Sequence, residues 1–148
     1  MAMEAGKAAR VGHSTGRATV VQLEARARVE FLDITARLQK LVDESGVVNG
    51  VCHLFVPHTT AALLVNENDD PALQNDMDQF LARLAPVGGE YHHNDGNCDA
   101  HLKASLIGNS KTLLVEDRRV VLGRWQGVFF CEFDGPRRRE LRVKIVSD

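Results

Sequence analysis

The chain has 148 residues, a formal net charge of −2 and ordinary apolar and charged fractions. That describes one globular domain, able to bury about two-thirds of its unfolded surface. A pI near 6.3 excludes a general nucleic-acid or anionic-membrane binder, and the one basic cluster, Arg137-Arg138-Arg139 with Arg142 and Lys144, is local. No apolar run reaches transmembrane length. The cysteines, Cys52, Cys98 and Cys131, form no CxxC pair that would frame disulfides or a cysteine zinc site.

Residues 1–16 are rich in Ala, Gly and Ser and lack the apolar core of a secretory signal. They are expected to be a disordered tail on a cytoplasmic protein, with one domain over 17–148. From Arg17 to Arg28, near-alternation of Val20, Leu23, Ala25, Ala27 and Val29 predicts a strand or strand pair. Phe31 to Thr35 then opens a helix with Asp33 as N-cap. Ile34, Leu38, Leu41 and Val42 form its apolar stripe, and Gly46 ends it.

Asn49-Gly50 signals a turn, and Val51 to Val56 reads as an apolar strand covered on both faces, with His53 a packed or interface histidine. Pro57 ends it, His58-Thr59-Thr60 follows, and Ala61 to Val65 is a second apolar strand. Asp70 caps the next helix with Pro71 at its first position. Its stripe of Leu73, Met77, Phe80, Leu81 and Leu84 is expected to be core.

Pro86-Val87-Gly88-Gly89 breaks that helix and leads into the most polar stretch, His92 to Ser105. It reads as a loop carrying His92 and His93, then a short helix from near Asn97 that stops at Gly108. Asn97, His101 and Ser105 share one helical face. Strands follow at Thr112–Val115, from Val120, at Val128–Phe133 and, half-buried, at Arg139–Val146, with Trp125 read as a core or interface anchor. The sum is α+β: a mixed or antiparallel sheet with two main helices and one short one.

Polar residues gather at strand ends and helix starts, where rigid scaffolds present them to ligands. His58, His93 and His101 could meet as neutral imidazole ligands of a divalent metal, or act as acid/base groups near neutrality. Lys103, Arg124 or the Arg137–Arg139 cluster could hold a phosphate. Glu67 and Asp76 could hold magnesium or simply favour a helix start. The familiar short motifs for nucleotide, hydrolase or metalloprotease chemistry are absent.

Several blocks in order carry a resemblance. They are His58-Thr59-Thr60-Ala61-Ala62-Leu63, Asn66-Glu67-Asn68, Asp70-Pro71, Asp76, Asn97 with Ala100-His101-Leu102-Lys103-Ala104, and Leu106-Ile107-Gly108-Asn109-Ser110. Leu122-Gly123-Arg124-Trp125-Gln126 and Glu132-Phe133-Asp134-Gly135-Pro136-Arg137 complete the set. From about Arg17 to the C-terminus the chain resembles the YjbQ-like family, also called the secondary thiamine-phosphate synthase enzyme family. Arg124 departs from it, standing where that family usually has Thr.

The resemblance implies a compact α+β subunit in a homotrimer, with sites near subunit boundaries. It also implies a weak, secondary thiamine-phosphate synthase activity, joining a pyrimidine methyl diphosphate to a thiazole phosphate with release of pyrophosphate. A metal, zinc or magnesium, is implied at the histidine cluster of His58, His93 and His101. Catalysis is expected from those histidines with Asn97, Glu67 and Asp76. Phosphate binding is expected from Lys103, Arg124, Thr59 and Thr60. The alternative is a non-catalytic trimeric module that binds a metal or a small anion, and a structural trimer is the third reading.

Overall fold

Phe129 and Phe130 are neighbours in sequence, yet both are buried. Successive side chains on a strand point to opposite faces, so this strand must be covered on both sides. The computed structural model, which describes residues 16–148, shows what covers it. The tail assigned to residues 1–16 falls, but for Gly16, outside the described residues.

The elements in chain order are β1 (Thr19–Ala25), β2 (Glu30–Asp33), α1 (Thr35–Ser45), β3 (Gly50–Phe55), β4 (Ala61–Glu67) and α2 (Pro71–Leu84). Then come α3 (Cys98–Ile107), β5 (Ser110–Glu116), β6 (Arg119–Val120), β7 (Gln126–Glu132) and β8 (Arg137–Ser147). A five-stranded sheet runs β1-β8-β3-β5-β6 and a three-stranded sheet runs β2-β7-β4. Every pairing is antiparallel, so the sheets are antiparallel rather than mixed. Among the described residues no helix is long and apolar enough to cross a membrane.

Two apolar clusters share the three-stranded sheet. Ala61, Leu63, Val128 and Phe130 face the larger sheet and α1, meeting Leu54, Leu141, Val143, Leu38 and Val42. Ala62, Phe129, Cys131 and Phe133 face the other way, onto Leu81 of α2 and Ala100 and Ala104 of α3. The three-stranded sheet is thus the middle layer, between a sheet and a pair of helices.

The middle layer takes the both-face burial that the sequence suggested for Val51–Val56. In β3 the burial alternates instead, and Phe55 and His53 are exposed, so of the packed and interface readings of His53 the packed one does not hold. The outer face of the large sheet has no layer over it among the described residues. His53 contacts only Thr112 across the strand pair among its described side-chain bonds.

Local starts and stops follow the side chains. Asp70 accepts a hydrogen bond from Ala72 N with Pro71 at the first helical position, and Gly46 closes α1 in the left-handed conformation. Phe31 to Asp33 belong to β2, which ends before α1 begins. Asp33 still supports the helix start, accepting from both Thr35 N and Thr35 Oγ1. The stripe of α2 is narrower than its spacing implies: Leu81 is buried, Phe80 is 53% exposed and Leu84 is exposed. Phe80 is therefore not core.

Candidate functional site

Helix α3 buries Asp99, Ala100, Lys103 and Ala104 and leaves Leu102 and Leu106 exposed. Small Ala100 and Ala104 let the helix backbone sit close on the middle sheet, and the same face carries Asp99 and Lys103 one turn apart. Lys103 Nζ donates to Asp99 Oδ2 at 3.0 Å, with the lysine 1% exposed. The other oxygen, Oδ1, accepts from Arg28 Nη2 at 2.8 Å. A buried carboxylate is tolerable only when its oxygens are matched in this way.

The cluster continues into the turn between β7 and β8. Asn97, at the N-cap of α3, donates through Nδ2 to Asp134 Oδ2 at 2.8 Å. Arg137 grips the same residue, Nε to the backbone oxygen at 2.7 Å and Nη2 to Oδ2 at 2.9 Å. Arg28 Nη1 stands 3.7 Å from Asp134 Oδ1. Beneath them, Arg139 holds Glu132 with two bonds and donates to Thr60 Oγ1 at 2.6 Å. Glu132 Oε1 in turn accepts from Asp134 N.

Two histidines meet beside this cluster. The rings of His93 and His101 are edge to face with centroids 5.0 Å apart, and His93 Nε2 lies 3.5 Å from Asp95 Oδ2. A cleft of about 210 Å³ opens here, lined by Tyr91, His93, Cys98 and Asp99 and floored in part by Gly88 and Gly89. Gly88 adopts a positive φ, as the sharp turn out of α2 requires.

His58 has a separate setting. Its Nε2 accepts from Glu140 N at 2.9 Å, which places the ring proton on Nδ1. Burial, then the nearby Arg139 charge, pushes its pKa below the ordinary histidine value, against the opposing pull of Glu132 and Glu140. Thr59 is exposed and Thr60 buried.

The remaining expected site residues lie elsewhere. Glu67 ends β4, and across the ladder it pairs with Gln126. Asn68 donates through Nδ2 to Asp33 and through its backbone to Trp125 O. A Cβ on Gly127 would clash with the Asn68 side chain, so the glycine permits this close packing. Arg124 stacks 4.8 Å over Trp125, which is 51% exposed and so not a core anchor. Asp76 is exposed on α2. The seven residues of β4 separate this end from the Thr60 end by roughly 20 Å.

One chain therefore brings together His93, His101, Asn97 and Lys103, with His58 and Thr60 on the adjoining β8 side. It does not bring Glu67, Asp76 or Arg124 to them. Among the described residues no three His, Cys, Asp or Glu side chains converge as a metal site. Two imidazoles fall short of the three protein ligands of a catalytic zinc centre.

The sequence assigned no role to Arg28, Asp99, Asp134 or Glu132, and Arg139, expected in a phosphate-holding cluster, is instead buried against Glu132. Glu132 did carry a signal, since an acid inside the run Val128–Phe133 needs a buried cation. The four-residue spacing of Asp99 and Lys103 was another.

Over the described residues the architecture is a single α+β domain of two antiparallel sheets and three helices, with a polar cleft at the start of α3. The model of the family described as "UPF0047 protein YjbQ-like" matches residues 19–148, and the chain belongs to that family. The UPF0047 protein MJ1081 of Methanocaldococcus jannaschii is 46% identical over 127 residues, covering 86% of this chain and 92% of that protein. The UPF0047 protein YugU of Bacillus subtilis is 39% identical over 128 residues, covering 86% and 97%. Among solved structures, an uncharacterized YjbQ/UPF0047 protein from Clostridium acetobutylicum superposes with a TM-score of 0.85 at 44% identity, covering 86% of this chain and 99% of that one. The hypothetical protein APE1520 from Aeropyrum pernix gives a TM-score of 0.85 at 36% identity, covering 90% and 100%. Neither these relatives nor these structures bear a name that states an activity.

Proposed function

We propose that this chain is a cytoplasmic transferase acting on phosphorylated small molecules, with thiamine-phosphate synthesis as the reaction to assay. The observation that carries the reading is the edge-to-face His93–His101 pair beside a cleft lined by His93, Cys98 and Asp99, with Asp99 fixed from behind by Arg28 and Lys103. The family resemblance supplies the choice of reaction.

In that reaction the thiazole nitrogen forms a bond to the pyrimidine methylene carbon as the carbon–oxygen bond to diphosphate breaks. The electron pair leaves with pyrophosphate, and no redox change occurs. The difficult feature is negative charge building on the leaving oxygen. A protonated His93 or His101 would donate a hydrogen bond there, and fixed guanidiniums would hold the diphosphate. Asn97 would help set the start of α3 through its bond to Asp134.

A divalent metal would supply Lewis-acid stabilisation of the same charge. His93 and His101 are the two imidazoles on offer, and any third ligand has to come from beyond this set. The homotrimer is part of the reading: exposed Phe80, Leu84, Leu102 and Leu106 on α2 and α3 give large apolar side chains for subunit contact. Subunit contact could also bring the Trp125 end of β4 in one copy to the His101 end in another.

The test is product formation from a pyrimidine methyl diphosphate and a thiazole phosphate, followed by mass spectrometry for wild type and His101→Ala. Elemental analysis and solution mass run alongside. Turnover in wild type and its loss in a folded His101→Ala support the reading. Equal turnover in the two would sink it, and ligand binding without any turnover would favour the non-catalytic module.

A further inference from the structure

We propose that Arg28 and Arg137 form a two-armed phosphate clamp, taking the diphosphate end of a small-molecule ligand. The expected phosphate set of Lys103, Arg124, Thr59 and Thr60, with the Arg137–Arg139 cluster, did not include Arg28, and Lys103 is buried against Asp99. The inference rests on the reading that the ligand is phosphorylated.

The charge balance comes first. Three cations, Arg28, Lys103 and Arg137, share two carboxylates, Asp99 and Asp134. Glu132 is already matched by Arg139, so it does not cancel the surplus. Lys103 is fully enclosed against Asp99. The uncompensated positive charge therefore sits on the two arginines, whose side chains are 39% and 52% exposed.

Geometry comes second. A guanidinium has five N–H donors. Arg137 spends Nε and one Nη2 donor on Asp134, which leaves the Nη1 side open. Arg28 spends only Nη2, on Asp99; its Nη1 is too far from Asp134 for a hydrogen bond, and its Nε is unpartnered but buried, so the Nη1 end is what faces a ligand. Both forks are anchored on one side and under-bonded on the other, and both address the same Asp134 carboxylate.

Anchored arginines lose little freedom when they bind, and planar forks match phosphate oxygens. The first turn of α3 lies alongside through Asn97 and Asp99, and its dipole adds to the attraction for an anion. His101 is one helical turn beyond Asn97, so a diphosphate held here has an imidazole within the same site.

The experiment is titration of the full chain with inorganic pyrophosphate by calorimetry, with a thermal-shift measurement on each variant. Wild type should bind. Arg137→Gln should weaken binding by about tenfold or more, and Arg137→Lys should weaken it less, because it keeps the charge and loses the fork. Arg118→Gln, in the distant β5–β6 turn, should bind as wild type does. Arg28→Gln should behave like Arg137→Gln. Should it fail to fold, Arg137→Gln decides alone.

A wild type that does not bind pyrophosphate overturns the clamp, as does undiminished affinity in folded Arg137→Gln. Failure of the parent reading looks different. Pyrophosphate binding that depends on Arg137, with no thiamine-phosphate formed, keeps the clamp and removes the reaction. Thiamine-phosphate formation with an unchanged KM for the diphosphate substrate in Arg137→Gln keeps the reaction and removes the clamp.

Discussion

Arg139 grips Glu132 across the gap between the two sheets, Nε to Oε2 and Nη2 to Oε1, both at 2.6 Å. Glu132 extends the row Val128 and Phe130 that faces the large sheet, and Arg139 extends the inward row of Leu141 and Val143. The pair therefore closes the end of the main core where a hydrophobic contact would otherwise stand.

Breaking that pair from one side strands a buried charge. Arg139→Met should lower the unfolding free energy by about 3–5 kcal/mol, while Arg139→Met with Glu132→Leu should recover most of the loss. Equilibrium urea denaturation of the single and double variants measures the difference. A double variant as unstable as the single would show that the pair does more than neutralise two charges.

Lys103 gives a second contrast. Its ammonium lies against Asp99 on the packed face of α3, so Lys103→Met should cost on the order of 3 kcal/mol of stability. Its effect on pyrophosphate affinity should be small beside that of Arg137→Gln. Denaturation and calorimetry on the same preparation separate the two effects. Unchanged stability with abolished binding would return Lys103 to a ligand-contacting role.

How much of this was legible depends on how local the physics is. Asp70-Pro71 marks the start of α2 and Gly46 the end of α1 because caps are decided within one turn. The face that α3 buries was not legible. Its leucines, Leu102 and Leu106, lie exposed, whereas close approach to the sheet selects Ala100 and Ala104 and carries Asp99 and Lys103 inward.

The same limit applies to the layers. Continuous apolar runs in β3 and β7 look alike, and only the path of the whole chain decides that β7 is covered twice. In the site, His93 and His101 met because a short loop joins them to one helix. Arg28 reaches Asp99 from 71 positions away, and nothing local in the sequence reports that.

The three thiols should react very unequally. Burial pushes Cys131 up to about 12 and Cys52 up to about 11, so neither forms appreciable thiolate at neutral pH. Cys98 lines the cleft and is only half-buried. Iodoacetamide at pH 7.5 should alkylate Cys98 in the folded protein, with Cys52 and Cys131 reacting only on unfolding. Peptide mass mapping against time gives the order, and early modification of Cys52 would contradict the buried core.

His58 links the site to pH. Its folded pKa lies below the ordinary 6.5, first through burial and then through Arg139. A depressed folded value means that the native state prefers the neutral ring. The stabilisation is present above the unfolded pKa and is lost as pH falls toward and through the folded one. Protonation also forces Nε2 to surrender the bond it accepts from Glu140 N. Wild type should therefore lose stability between about pH 7 and pH 5 more steeply than His58→Gln, whose amide oxygen can accept the same bond without titrating. Thermal unfolding midpoints across that range make the comparison, since the carboxylates Glu132 and Glu140 are common to both proteins. Parallel curves would mean that His58 does not contribute to the acid sensitivity, whatever its neighbours do.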